Sequence, residues 1–113
     1  MNITVKSAAI AAGSSLSGIV DLEGYTKIGI EMPAAWDAAA LTFQGSSDGV
    51  TYNNLYDNVG NEVTSQAAAG RFIGIDTILR SLAAVRYLKI RSGTSALPVN
   101  QTADRTIKLC LKA

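Results

Sequence analysis

Arg105-Thr106-Ile107-Lys108-Leu109-Cys110-Leu111-Lys112 is the stretch on which the fold turns. Ile107, Leu109 and Leu111 alternate with Lys108, Cys110 and Lys112. A period of two puts the two sets on opposite sides of an extended chain, so the segment reads as a strand with one face in a core. Three more runs repeat the pattern. Ile28, Ile30 and Met32 alternate with Gly29 and Glu31, Leu41 and Phe43 with Thr42 and Gln44, and Leu88 and Ile90 with Lys89 and Arg91. Turn signals lie between them: Gly13-Ser14, Glu23-Gly24, Ser47-Asp48-Gly49, Asn53-Asn54, Val59-Gly60-Asn61 and Ser92-Gly93. Their spacing of roughly 8–12 residues is that of an all-β sandwich or barrel.

Strands are expected near 2–10, 16–22, 25–32, 40–46, 50–56, 61–66, 70–75, 85–92 and 105–112. Two stretches read as short helical turns. Pro33–Ala39 is Ala-rich with Pro33 at its start. Asp76–Leu82 has an N-cap Asp and an Ile78/Leu82 pair at i, i+4. No linker, repeat or low-complexity tail interrupts the chain, so its 113 residues are expected to form one sandwich domain, 1–113. At this size the folded surface should be about 6,000 Å².

The counts exclude much enzyme chemistry. There is no His and only one Cys. Cys110 cannot form an intrachain disulfide or a Cys-based zinc site, and Ser-His-Asp or Cys-His catalysis has no base. Gly45-Ser46-Ser47-Asp48-Gly49 matches the G-x-S-x-G pattern, but Val50-Thr51-Tyr52 follows as a strand where a nucleophile elbow needs a helix. It reads as a tight turn. No catalytic, cofactor-binding or metal residue is assigned, and no cofactor is expected. Asp48, Asn53, Asn54, Asp57, Asn58, Asn61 and Glu62 carry oxygen ligands suited to calcium, yet lack EF-hand spacing and read as turn residues. No membrane span is expected. The uncharged run Ser7–Val20 has 14 residues, and spanning takes about 20 apolar ones.

Charge is low in amount, at 17% of residues, and unevenly distributed. Residues 1–70 carry a net −5 and residues 71–113 a net +6. Such polarity either builds a docking surface or mixes when the halves interleave in one sheet. Arg86, Lys89, Arg91 and Lys108 are candidate partner-binding residues. Arg105 also lies in this basic half, but only Tyr87 is interleaved, so nucleic acid is not the expected partner. Trp36, Tyr52 and Tyr56 lie near the Asn/Asp-rich segment, and aromatic faces beside amides form the alternative candidate, a sugar site.

Three segments together carry a resemblance: Glu31–Gly49 (EMPAAWDAAALTFQGSSDG), Val85–Thr94 (VRYLKIRSGT) and Pro98–Arg105 (PVNQTADR). The chain resembles, over about residues 25–112, small structural proteins of tailed phages, in particular the cement, decoration or staple proteins on capsids of short-tailed phages. That resemblance implies a jelly-roll β-sandwich with no enzymatic role. It implies a virion protein on the capsid surface, made in the bacterial host cytoplasm. The partner it implies is the major capsid protein, whose subunits it would bridge, with a homo-oligomer such as a dimer expected on the shell. A collar or tail adhesion role is a further alternative. A looser likeness, carried by the Ser-x-Asp-Gly turn and by Arg86-Tyr87-Leu88-Lys89-Ile90, is to discoidin-type carbohydrate-binding modules.

Overall fold

The computed structural model describes residues 2–74 and 84–113. The described residues form eight strands in chain order: β1 (Thr4–Ile10), β2 (Val20–Asp21), β3 (Lys27–Glu31), β4 (Leu41–Ser46), β5 (Asn53–Asn54), β6 (Phe72–Gly74), β7 (Tyr87–Ser92) and β8 (Arg105–Lys112). They form two antiparallel sheets, ordered β1-β8-β3-β6 and β2-β7-β4-β5. First pairs with last, second with seventh, third with sixth and fourth with fifth. That nesting is one long antiparallel hairpin wrapped into two layers, the path of a jelly roll. Among the described residues no helix is long and apolar enough to cross a membrane.

The alternating runs do what their period requires. Ile107, Leu109 and Leu111 are fully buried, as are Leu41, Phe43, Leu88 and Ile90. They meet Ala8, Ile10, Val20, Leu22, Ile28, Ile30, Met32 and Val63 in one core between the sheets. The register sets each outer face. Opposite the inward Ile30–Leu109 and Ile28–Leu111 pairs, Glu31 faces Lys108, Gly29 faces Cys110 and Lys27 faces Lys112.

The expected boundaries shift at the edges of the sheets. Segment 61–66 is no strand but crosses the end of the second sheet, making single bridges from Glu62 to Tyr56 and from Ser65 to Leu41. The expected helical turn at Pro33–Ala39 is corrected to an irregular loop. The Asp37 N–H, which a helix would direct at the Pro33 carbonyl, donates instead to Gln101 Oε1 at 2.8 Å. The Pro33 carbonyl accepts the Gly70 N–H at 2.9 Å. The second expected turn, Asp76–Leu82, lies outside the described residues.

Because consecutive strands run in opposite directions, loops gather at two ends. Loops 11–19, 32–40, 55–71 and 93–104 share one end, and 22–26 and 47–52 the other. Fully buried Gln101 locks the first end. Its Nε2 donates to the Asp37 carbonyl at 3.0 Å and to Ser92 Oγ at 2.8 Å, and its Oε1 also accepts from Arg105 Nε at 3.1 Å. Asp37 in turn accepts from the Thr102 N–H at 2.8 Å and from Arg105 at 2.9 Å. The Thr102 amide, before its hydroxyl and Arg105, holds the Asp37 carboxyl below its ordinary range.

Candidate functional site

The outer face of β2-β7-β4-β5 carries most of the residues singled out from sequence. Arg91, on β7, is 8% exposed. Its guanidinium donates to Asn54 Oδ1 at 2.6 Å, lies 3.4 Å from Thr42 Oγ1 and sits 3.5 Å from the Glu62 carboxylate. Glu62 accepts the Ser95 N–H as well. On β4, the strand next to β7, Gln44 donates to the same Asn54 at 3.3 Å. The Lys89 ammonium lies 4.4 Å from the centre of the Tyr52 ring, a cation–π contact. Arg86 grips Asp21 with two nitrogens, at 2.6 and 3.1 Å. That charge-assisted fork, helped by the Glu23 amide and Lys6, holds the Asp21 carboxyl at about 2 and pushes Arg86 above its ordinary value.

The structure therefore brings Arg86, Lys89 and Arg91 to one sheet but occupies each with an internal partner. Lys108 is elsewhere, on the outer face of the other sheet, 3.7 Å from Glu31. The sugar candidates also divide. Tyr52 and Tyr56 flank β5, whereas Trp36 sits in the loop at the opposite end from Tyr52, half-buried against the core with Nε1 donating to the Ala39 carbonyl at 3.1 Å. The Tyr52 hydroxyl is buried without a hydrogen-bond partner among the described residues. Burial, then the nearby Asp48 and Tyr87, raise its pKa.

The Asn/Asp turns spend their oxygens locally. Asp48 Oδ1 accepts the Val50 and Thr51 amides at 2.8 and 3.0 Å, with Ser46 Oγ at 3.0 Å. Asp57 Oδ1 accepts those of Val59 and Asn61 at 3.0 and 2.9 Å. Backbone amides, Thr51 foremost for Asp48 and Asn61 for Asp57, pull both carboxyls down. Within Gly45–Gly49, Ser46 closes the turn by accepting the Gly49 N–H at 2.9 Å.

The outer face of β1-β8-β3-β6 was missed by sequence reasoning. Ile3, Val5 and Phe72 are 57%, 55% and 61% exposed, and all three belong to this face. Ile3 and Phe72, with Gly29, half-buried Cys110, Lys27 and Lys112, line a shallow groove of about 240 Å³. Gly29 makes room for the Phe72 ring, which a Cβ there would meet at 2.8 Å. The signal was present in the phase of the first strand. Ile3 and Val5 fall on one parity, Ala8 and Ile10 on the other, so the strand offers apolar side chains to both sides.

No protein-family model matches the chain. No curated protein matches it. Among solved structures, the SPBc2 prophage-derived protein YomS superposes with a TM-score of 0.56 at 10% identity, over 98% of this chain and 95% of that one. The Yersinia pseudotuberculosis-derived mitogen (YPM) aligns at a TM-score of 0.43 and 11% identity, over 99% of this chain and 86% of that one. The first likeness establishes a shared fold along nearly the full length of both chains.

Proposed function

We propose that the chain is a non-enzymatic structural protein of a phage particle, which decorates the capsid and stabilises it by bridging major capsid protein subunits. The observation that carries this reading is the open apolar face: Ile3, Val5 and Phe72 lie more than half exposed on a sheet surface that holds only a shallow groove. A surface of that kind meets another protein surface, whereas small-molecule chemistry uses concave sites with converging polar groups. The prophage origin of a protein with the same fold, YomS, supports the setting. So does the sequence resemblance to decoration proteins over residues 25–112.

The mechanism is mechanical. A standard interface takes about 800 Å² from each partner. The chain exposes 6076 Å² within extents of 33 × 33 × 25 Å, so one sheet face suffices for a subunit and leaves other surface for its neighbour. Copies arrayed on a shell add avidity that no single contact has. The test is a heat or osmotic challenge of particles assembled without the protein. They should burst earlier than complete particles, and added protein should restore them. Unchanged resistance without it, or its location at a collar or tail tip, would contradict the reading.

A further inference from the structure

Among the described residues, the edge strands β2 and β5 have two residues each and β6 has three, whereas the edge strand β1 has seven. β1 forms a ladder with β8 alone. Successive residues of a strand direct their N–H and C=O groups to alternate sides, and two observations fix the phase. The Met32 N–H donates to the Arg71 carbonyl at 2.8 Å, on the side of β6, so Gly29 and Glu31 bond towards β8 and their partners Cys110 and Lys108 towards β3. That leaves Leu111, Leu109 and Ile107 to bond towards β1, where the register sets them opposite Thr4, Lys6 and Ala8. The second observation is the Ala9 carbonyl, which accepts the Gly18 N–H at 3.1 Å on the side away from β8. Val5 and Ser7 share the parity of Ala9, so their N–H and C=O groups point off the edge of the sheet. Among the described residues no backbone group meets them.

We propose that β1 pairs with β1 of a second copy, antiparallel about a two-fold axis at Val5, and so joins two β1-β8-β3-β6 sheets into one. A strand that adds to an exposed edge gains main-chain hydrogen bonds. With Val5 opposite the partner's Val5, each exchanges its N–H and C=O with the other, and Ile3 does the same with the partner's Ser7. The ladder ends there because Gly18 already holds the Ala9 carbonyl. Charge selects this register. A shift one way sets Lys6 directly opposite the partner's Lys6, and like charges so placed repel. A shift the other way carries Ser7 beyond the partner's Ile3. In the register through Val5, Lys6 faces the partner's Thr4. Sheet edges are commonly blunted by prolines, bulges or inward-pointing charges. β1 has no proline, and its pairing with β8 is unbroken from Thr4 to Ile10. Lys6 does point inward, but its ammonium is already held by the Asp21 carbonyl at 2.6 Å and by Glu23, so pairing strands no charge. Residues opposite each other across the ladder project to one side, so Ile3 and Val5 of both copies line up as one apolar strip on the outer face. An edge contact leaves that face open, and therefore neither needs nor tests the decoration reading.

The test is sedimentation of the full chain over a range of concentrations, with three variants. The unaltered protein should sediment as a concentration-dependent dimer. Val5→Pro removes an N–H that points off the edge, a position in which an edge strand tolerates proline. It should sediment as a monomer at concentrations where the unaltered protein is dimeric, and keep a dispersed amide spectrum. Ser7→Pro should do the same without altering the apolar strip. Val5→Thr keeps the N–H and should stay dimeric. Hydrogen exchange reads the same contact in the unaltered protein, whatever the proline variants do. The Val5 and Ser7 amides should become protected as concentration rises. A monomer at every concentration, with both amides unprotected, would overturn the proposal and leave the edge to a strand of another protein. So would a dimer that both folded proline variants keep, since the contact then lies elsewhere. A dimer that Val5→Thr dissolves as fully as Val5→Pro would give the contact to the apolar face and also overturn it.

Discussion

On the β2-β7-β4-β5 face, the cations are already answered by the chain itself: Arg86 by Asp21, Lys89 by the Tyr52 ring, Arg91 by Asn54 and Glu62. On the β1-β8-β3-β6 face, Ile3, Val5 and Phe72 stand more than half exposed, with no apolar layer over them among the described residues. The two faces come from the same hairpin wrap and the same alternation of strands. They differ in whether the outward residues find their partners within the molecule. A face that satisfies itself contributes to stability and has little left to offer. A face that does not is available for binding. Substitutions on the first should therefore lower stability, and substitutions on the second should lower binding with the fold intact.

The largest effect is expected in the layer that serves both faces. Leu109 is fully buried between the sheets, and Leu109→Ala should cost about 2–5 kcal/mol. A denaturant melt showing less than about 1 kcal/mol would mean that the inward side of β8 is misassigned. Next comes Arg91→Ala, which strands the mostly buried Glu62 carboxylate and removes a hydrogen bond to the exposed Asn54. A loss of about 1.5–3 kcal/mol fits a hydrogen-bonded charge of this kind. An unchanged melting midpoint would remove the distinction between the faces.

A smaller effect follows from Asp21. Its pKa is lowered from 3.8 to about 2 in the folded chain, chiefly by the Arg86 hydrogen bonds. A depressed folded-state value means that the contribution is complete above the unfolded pKa and disappears as pH falls toward the folded one. Stability should thus decline between about pH 4 and pH 2. Asp21→Asn should flatten that part of the pH curve in urea melts, and an unaltered slope would show that the Arg86 fork does not survive in solution. Smallest of all is the stability effect of Phe72→Ser. It should stay within about 0.5 kcal/mol, the usual range for surface positions. A large loss would make Phe72 a structural residue and return the apolar face to the fold.

Much of the fold was legible because burial follows parity. Each of the four alternating runs put its apolar members in the core, and the turn spacing gave the number of reversals to within one strand. The Pro33–Ala39 loop was not legible, since what unwinds it is Gln101, a residue far along the chain whose amide captures Asp37. The charge polarity was visible but its outcome was not. Jelly-roll pairing sets β7 and β8 from the basic half between strands of the acidic half. Arg86–Asp21, Arg91–Glu62, Arg105–Asp37 and Lys108–Glu31 each join one half to the other. Trp36 and Tyr52 looked close in sequence, yet one strand separates their loops, and one strand carries the chain from one end of the sandwich to the other. That Lys27 stands opposite Lys112 depends on the β3–β8 register, which no local pattern encodes.

The most direct test is a cryo-electron microscopy reconstruction of phage particles with the protein bound. The account predicts density on the shell in which the β1-β8-β3-β6 face, with Ile3, Val5 and Phe72, lies against capsid protein and the Arg91 face looks outward. Particles carrying the protein with the Arg91 face inward, or showing no density for it on the shell, would contradict it.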